Sequence, residues 1–188
     1  KRIEKLKNSK PVEITGEEIK LTGDEKQDKK AALEYGKRLR GIYRNEDQNT
    51  DIEIVADSIK EVLHHDYKDR EHLLSVAAIP DMIKKGIYIT TEENTGNKAI
   101  DSFDYYVCGL KIDGEDYTVK FVVSNRNNGE RYYDHKLTQI EKGKLLDLSA
   151  VSSTESAKNS PLLSGYKDKR LLSILQTNPE EIAQAEAR

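Results

Sequence analysis

The sequence predicts an α+β fold, with N-terminal helices packed on a curved antiparallel β-sheet meander and short helices after it. Three runs of β-branched, aromatic and apolar residues carry that prediction: "FDYYVCGLKI", "EDYTVKFVVSN" and "RYYDHKLTQIE" follow one another directly. They are separated by "DG" and "RNNG", whose residues tolerate positive φ and suit tight hairpin turns. The helical patterns come before this meander and do not alternate with its strands, which separates α+β from a parallel βαβ arrangement.

Each element has a local reason. "VEIT" near the start reads as a short strand. A helix over about 25–40 follows, with Asp24 as its N-cap and Gly41 as its C-terminal stop. Its apolar face is sparse, so it lies on the domain. "GIYRNEDQNTDIEIV" reads as a hairpin, with strands at 42–45 and 51–55 around turn-forming Asn, Asp and Gln. Ile59, Val62 and Leu63 are spaced at i, i+3 and i+4, the mark of a core-facing helix. Leu73, Val76, Ala77, Ile79 and Ile83 mark a second such helix, ending at Gly86 and broken or kinked by Pro80, which lacks a backbone donor. "LSAVSSTESAKNSPLLS" reads as a Ser-rich linker. "KDKRLLSILQ" and "TNPEEIAQAEAR" read as short helices, the latter capped by Asn178 with Pro179 in its first position. The expected organisation is an N-terminal strand and helix extension over 1–39, an α+β core over 40–148, and linker plus helices over 149–188.

Composition narrows the functional classes. The 188 residues are 36% hydrophobic and 35% charged, with a formal net charge of −3. No apolar run approaches the roughly 18 residues that span a bilayer, so no membrane partner is expected. Lys1 in place of an initiating Met suggests a piece of a longer protein or a trimmed chain. Cys108 is the single cysteine and sits in an apolar strand pattern, which excludes an internal disulfide, favours a buried structural thiol and fits a reducing compartment. Overall acidity argues against sequence-independent nucleic-acid binding. Local charge differs: between Tyr117 and Lys144, Lys120, Arg126, Arg131, Lys136, Lys142 and Lys144 outweigh Glu130, Asp134 and Glu141.

The four histidines are the residues whose ordinary pKa lies nearest neutrality. His64 and His65 close the first core helix, where a cation also interacts favourably with exposed carbonyls. His72 follows Glu71 in the next helix and reads as a surface or capping residue. "HHDYKDREH" has neither a HExxH pair nor cysteine partners, so no metal and no cofactor are expected. No phosphate-binding glycine loop and no G-x-S-x-G elbow occur. Strand alternation puts Arg131, Tyr133, His135, Leu137 and Gln139 on one face of the last strand, and Tyr132, Asp134, Lys136 and Thr138 on the other. On the preceding strand, Tyr117, Val119, Phe121 and Val123 form the apolar face and leave Thr118, Lys120 and Ser124 opposite. The expected result is one polar, cationic sheet face and one face packed on helices. Such a set of His, Lys, Arg, Tyr and Thr, with a histidine from a helix end, meets the needs of metal-free RNA cleavage. On residue chemistry alone, an ordinary solvated sheet face is the simpler account of the same residues.

"SIKEVLHHDYKDREHLLSVAAIPDMIKKGIYI", followed by hairpin-linked strands ending "NGERYYDHKLTQIEKG", resembles the nuclease-like domains of phage polyvalent proteins and related mobile elements, grouped with the barnase, EndoU, colicin and RelE fold. The resemblance spans about 40–148. It implies a metal-independent endoribonuclease acting by transesterification, with RNA, either transfer or messenger, as partner and the bacterial host cytoplasm as location, phage delivery being one route there. By the same resemblance, His65, His135 and Thr138 are the catalytic candidates. His64, Arg126, Arg131, Tyr133, Lys136 and Lys120 are the substrate-binding ones. His135 and the pair Lys136 and Thr138 differ in strand parity, so a bulge is needed to bring them to one site. The alternative from a different class is a catalytically inactive protein-binding or structural module joined to neighbouring polyprotein domains.

Overall fold

The computed structural model describes residues 2–60, 70–96 and 98–145. Its elements run α1 (Arg2–Asn8), β1 (Val12–Ile14), α2 (Glu25–Lys37), β2 (Gly41–Asn45), β3 (Thr50–Ile54), α3 (Asp57–Lys60), α4 (Arg70–Leu74), a 3-10 turn (Ser75–Ala78), α5 (Ile79–Lys85), β4 (Ile87–Glu93), β5 (Ile100–Ile112), β6 (Glu115–Arg126) and β7 (Arg131–Lys142). Helices therefore pack against a curled mixed sheet, and the α+β class holds. The expected linker and C-terminal helices over 149–188 lie outside the described residues.

Three of the strands form the expected antiparallel meander, β5 to β6 to β7, turning at Asp113 and Gly114 with φ of 50° and 79°. The full sheet among the described residues has seven strands in the order β1-β5-β6-β7-β3-β2, with β4 also paired to β5. At 13 residues β5 is long enough to serve two neighbours on one edge: antiparallel β4 against its first half and parallel β1 against Leu110–Ile112. The β2–β3 hairpin forms as its sequence predicts, then joins β7 in parallel through Glu53 opposite Tyr132.

Asp24 caps α2 by accepting the Gln27 backbone N–H at 2.9 Å. One turn further, Asp28 accepts the Thr22 and Gly23 backbone N–H groups and the Thr22 hydroxyl. Those bonds, the Thr22 backbone one foremost, hold its carboxyl below the usual range. Gly41 is not the stop of this helix. The helix ends at Lys37 with Arg38 as C-cap, and Gly41 opens β2 at φ of 150°. Pro80 breaks the second core helix as expected. It lies in the first turn of α5, after a 3-10 turn that separates α5 from α4.

The core lies between the helices and one sheet face and includes Ile52, Ile54, Val76, Ile79, Met82, Tyr106, Leu110, Val119, Phe121 and Tyr133. Val12, Ile19 and Ala32, from the segment expected as an extension, are part of that same core. Cys108 is buried there, and burial pushes its thiol up to about 12. Buried Asn45 at the end of β2 donates to the carbonyls of Ile83 and Gly86 at 2.8 and 2.9 Å, satisfying acceptors that α5 leaves open at its end.

The expectation of a solvated polar sheet face is corrected. Thr118, Lys120 and Ser124 are 3%, 9% and 3% exposed. β6 is an interior strand with neighbours on both sides, and its polar side chains find partners there. The Thr118 hydroxyl donates to the Gly143 carbonyl at 3.0 Å, and the Lys120 ammonium lies 4.7 Å from the centre of the Tyr105 ring.

Candidate functional site

The candidate site forms where α4 meets β7. Opposite Phe121 of β6 the register breaks: Val122 pairs with Asp134 and Lys120 with Gln139, so four β7 residues, His135–Thr138, stand against one. This is a bulge of the kind that parity demands for His135 and Thr138 to share a side, although Lys136 stays outside. Asp134 holds it, its carboxylate accepting the Lys136 backbone N–H at 3.0 Å and its carbonyl accepting the Thr138 hydroxyl at 3.1 Å. The extra residues reverse the parity, and His135 and Thr138 now both face inward at 0% and 3% exposure. Lys136 and Leu137 take the outward turn of the bulge.

His135 meets His72, with ring centres 4.2 Å apart and planes at 88°. His72 is thus no surface cap: it is half-buried against β7. The two residues bond reciprocally. His72 Nε2 lies 2.9 Å from the His135 carbonyl, and His135 Nε2 lies 3.1 Å from the His72 carbonyl. A carbonyl only accepts, so each imidazole carries its hydrogen on Nε2. His135 Nδ1 is then an acceptor, and Tyr133 Oη stands 2.7 Å away to donate to it. Thr138 Oγ1 lies 2.9 Å from the same Tyr133 oxygen. Ser75 completes the set, donating to the His72 carbonyl at 2.6 Å and lying 3.3 Å from His135 Nε2.

Electrostatics agree with this proton count. Burial lowers the His72 pKa to about 4. Burial, helped by the neighbouring His72, depresses His135 well below its ordinary value, and burial raises Tyr133 well above 10. At neutral pH the cluster is therefore two neutral imidazoles and un-ionised hydroxyls, with a chain that runs from Tyr133 through His135 to the His72 carbonyl of α4. Such a chain satisfies its buried polar groups without creating a buried charge. Among the described residues no group of three or more His, Cys, Asp or Glu could hold a metal ion.

The remaining sequence candidates separate into three places. His64 and His65 lie outside the described residues. Lys136 is exposed on the bulge, next to the cluster. Lys120 leaves the opposite side of the sheet from Phe121 and Tyr133 and does not join it. Arg126 stacks on Tyr132, its guanidinium carbon 5.1 Å from the ring centre, and both line a cleft with α3. Arg131 lines a separate shallow depression with Arg44, Asn49 and Asp51. Sequence reasoning missed His72 and Ser75. Their i, i+3 spacing beside Val76 and Ile79 puts them along the core-facing stripe of the helix, the one signal that could have found them.

No helix among the described residues is long and apolar enough to cross a membrane. Comparison with curated proteins and with solved structures returned no match. Residues 23–133 match the model of one family, large polyvalent protein-associated domain 3. The match takes in α2 to β6, His72 and Tyr133 and stops two residues short of His135. With more than half of its length matched, the chain belongs to the large polyvalent protein-associated domain 3 family.

Proposed function

We propose that this domain is a metal-independent endoribonuclease module of a polyvalent protein, with the α4–β7 histidine pair as its catalytic centre. The observation that supports it is the convergence of His72 and His135, 63 residues apart, with the Tyr133 and Thr138 hydroxyls. His72, half-buried and neutral, is the general base. It takes the proton of the RNA 2′-hydroxyl as the 2′ oxygen bonds to phosphorus and the bond to the 5′ oxygen breaks. The departing 5′ oxygen receives a proton from a second donor, for which the sequence offers His65 or His64. His135 is a positioning residue. It fixes His72 through their shared carbonyl bonds, and Tyr133 and Thr138 fix His135. Lys136, exposed on the bulge, meets the phosphate charge.

The test is cleavage of transfer and total RNA in chelator by the full chain and by His72→Gln, His65→Ala and Lys136→Gln variants whose melting is unchanged. The expected products carry 2′,3′-cyclic phosphate, and His72→Gln lowers the rate by about 100-fold or more. Intact RNA after exposure to the wild-type chain, across pH and substrates, overturns the proposal.

One observation favours a second reading, a non-catalytic module. His135 is fully enclosed and both of its ring nitrogens bond to protein groups. That is how a buried polar network acts when it fixes two elements in place. On this reading the cluster locks α4 to β7, and the domain serves neighbouring parts of the polyvalent protein as a structural or binding unit. The same cleavage assay separates the two.

A further inference from the structure

The cleft between α3 and β7 has a chemistry that the histidine pair does not use. Its volume is roughly 380 Å³, within the range of about 300–1,000 Å³ usual for small-ligand sites. Ser58, Lys60, Ser124, Arg126, Tyr132 and Asp134 are among the residues that line it. Tyr133 lines it too, so the cleft adjoins the enclosed cluster, but neither His72 nor His135 is among its lining residues.

We propose that the cleft binds the phosphate of a nucleotide, with the Tyr132 ring beside it as an aromatic surface. Arg126 carries the argument. Its Nε is buried, and among the described residues that nitrogen has no hydrogen-bond partner and no carboxylate pairs with the guanidinium. A buried donor left open costs free energy, and a planar guanidinium fork is matched best by a phosphate or a carboxylate. Ser58 supplies a second donor. Its buried hydroxyl accepts the Val55 backbone N–H at 3.0 Å, which leaves its own proton to give to a ligand. Lys60 is exposed, and among the described residues no carboxylate pairs with it.

Asp57 and Asp134 line the same cleft and balance the two cations. Asp134 already accepts the Lys136 backbone N–H. Recognition therefore rests on directed donors and not on a general positive field, which suits one phosphate group rather than a run of them. The inference does not depend on RNA cleavage at the histidine pair.

Binding of adenosine 5′-monophosphate, adenosine and inorganic phosphate to the full chain, followed by amide and side-chain NMR shifts, tests it. Adenosine 5′-monophosphate should shift the Arg126 Nε and Tyr132 signals, with inorganic phosphate competing and adenosine binding more weakly. Arg126→Gln should weaken binding by roughly tenfold or more, and Arg126→Lys by less, because charge remains while the fork is lost. Ser58→Ala serves as a second variant in which the guanidinium is intact. A 5′-phosphorylated oligoribonucleotide that binds more tightly than the mononucleotide identifies an RNA end as the source of the phosphate. Absence of binding at millimolar mononucleotide, or binding indifferent to Arg126 and Ser58 in folded variants, overturns the proposal.

Discussion

The two long hairpins of the sheet differ in one respect that decides where chemistry can occur. Between β5 and β6 the Cα partners run unbroken from Ser102 opposite Asn125 to Ile112 opposite Glu115. Between β6 and β7 the ladder is interrupted at Phe121, where three extra residues enter β7. The unbroken ladder keeps strict alternation, so one side of β5 delivers Tyr106, Cys108, Leu110 and Ile112 to the core. The interrupted ladder lets two polar side chains three positions apart, His135 and Thr138, face the same way. A regular hairpin builds a core. A bulged one can also build a polar site inside it.

The largest effect should come from the residue that faces the interruption. Phe121 is fully buried, stacks on Tyr106 with ring centres 5.1 Å apart, and lies 5.7 Å from the Tyr133 ring. Phe121→Ala should cost about 3–5 kcal/mol in urea unfolding and release the Tyr133–His135 contact. A loss under about 1 kcal/mol would show that the bulge, and not Phe121, organises this part of the core.

The next effect is on pH dependence. A histidine whose folded pKa is depressed disfavours the folded state once the unfolded chain takes up a proton. Stability from His72 is therefore complete above about 6.5 and lost as pH falls from there towards about 4. The loss from His72 alone is on the order of 3 kcal/mol. Depressed carboxylates such as Asp28 and Asp47 add their loss lower, as pH falls below their ordinary values of 3.8. Urea melts from pH 7 to pH 4.5 should show the histidine contribution, and His72→Gln should reduce it. Equal acid sensitivity in wild type and variant would mean that the cluster admits a proton without opening.

The smallest effect concerns the bulge itself. Asp134→Ala removes the carboxylate that accepts the Lys136 backbone N–H and keeps the carbonyl that accepts the Thr138 hydroxyl. About 1 kcal/mol should be lost, with faster amide exchange confined to 135–138. Faster exchange spread through β5 as well would place the weak point in the whole meander.

The sequence by itself determined the fold class, the β5–β6–β7 meander, the β2–β3 hairpin, the Asp24 cap and the break at Pro80, because each rests on local periodicity or on one residue's backbone chemistry. It also determined that a site joining His135 to Thr138 needs a bulge, since strand parity is a property of spacing alone. Only the tertiary structure decided that the bulge exists, because a register break depends on which partner strand lies opposite. It decided too that His72 meets His135, a contact across 63 residues that no local pattern encodes. Finally, it enclosed the β6 face that alternation had marked as polar and cationic. Polarity in a sequence says which groups need partners, and only packing says whether water or protein supplies them.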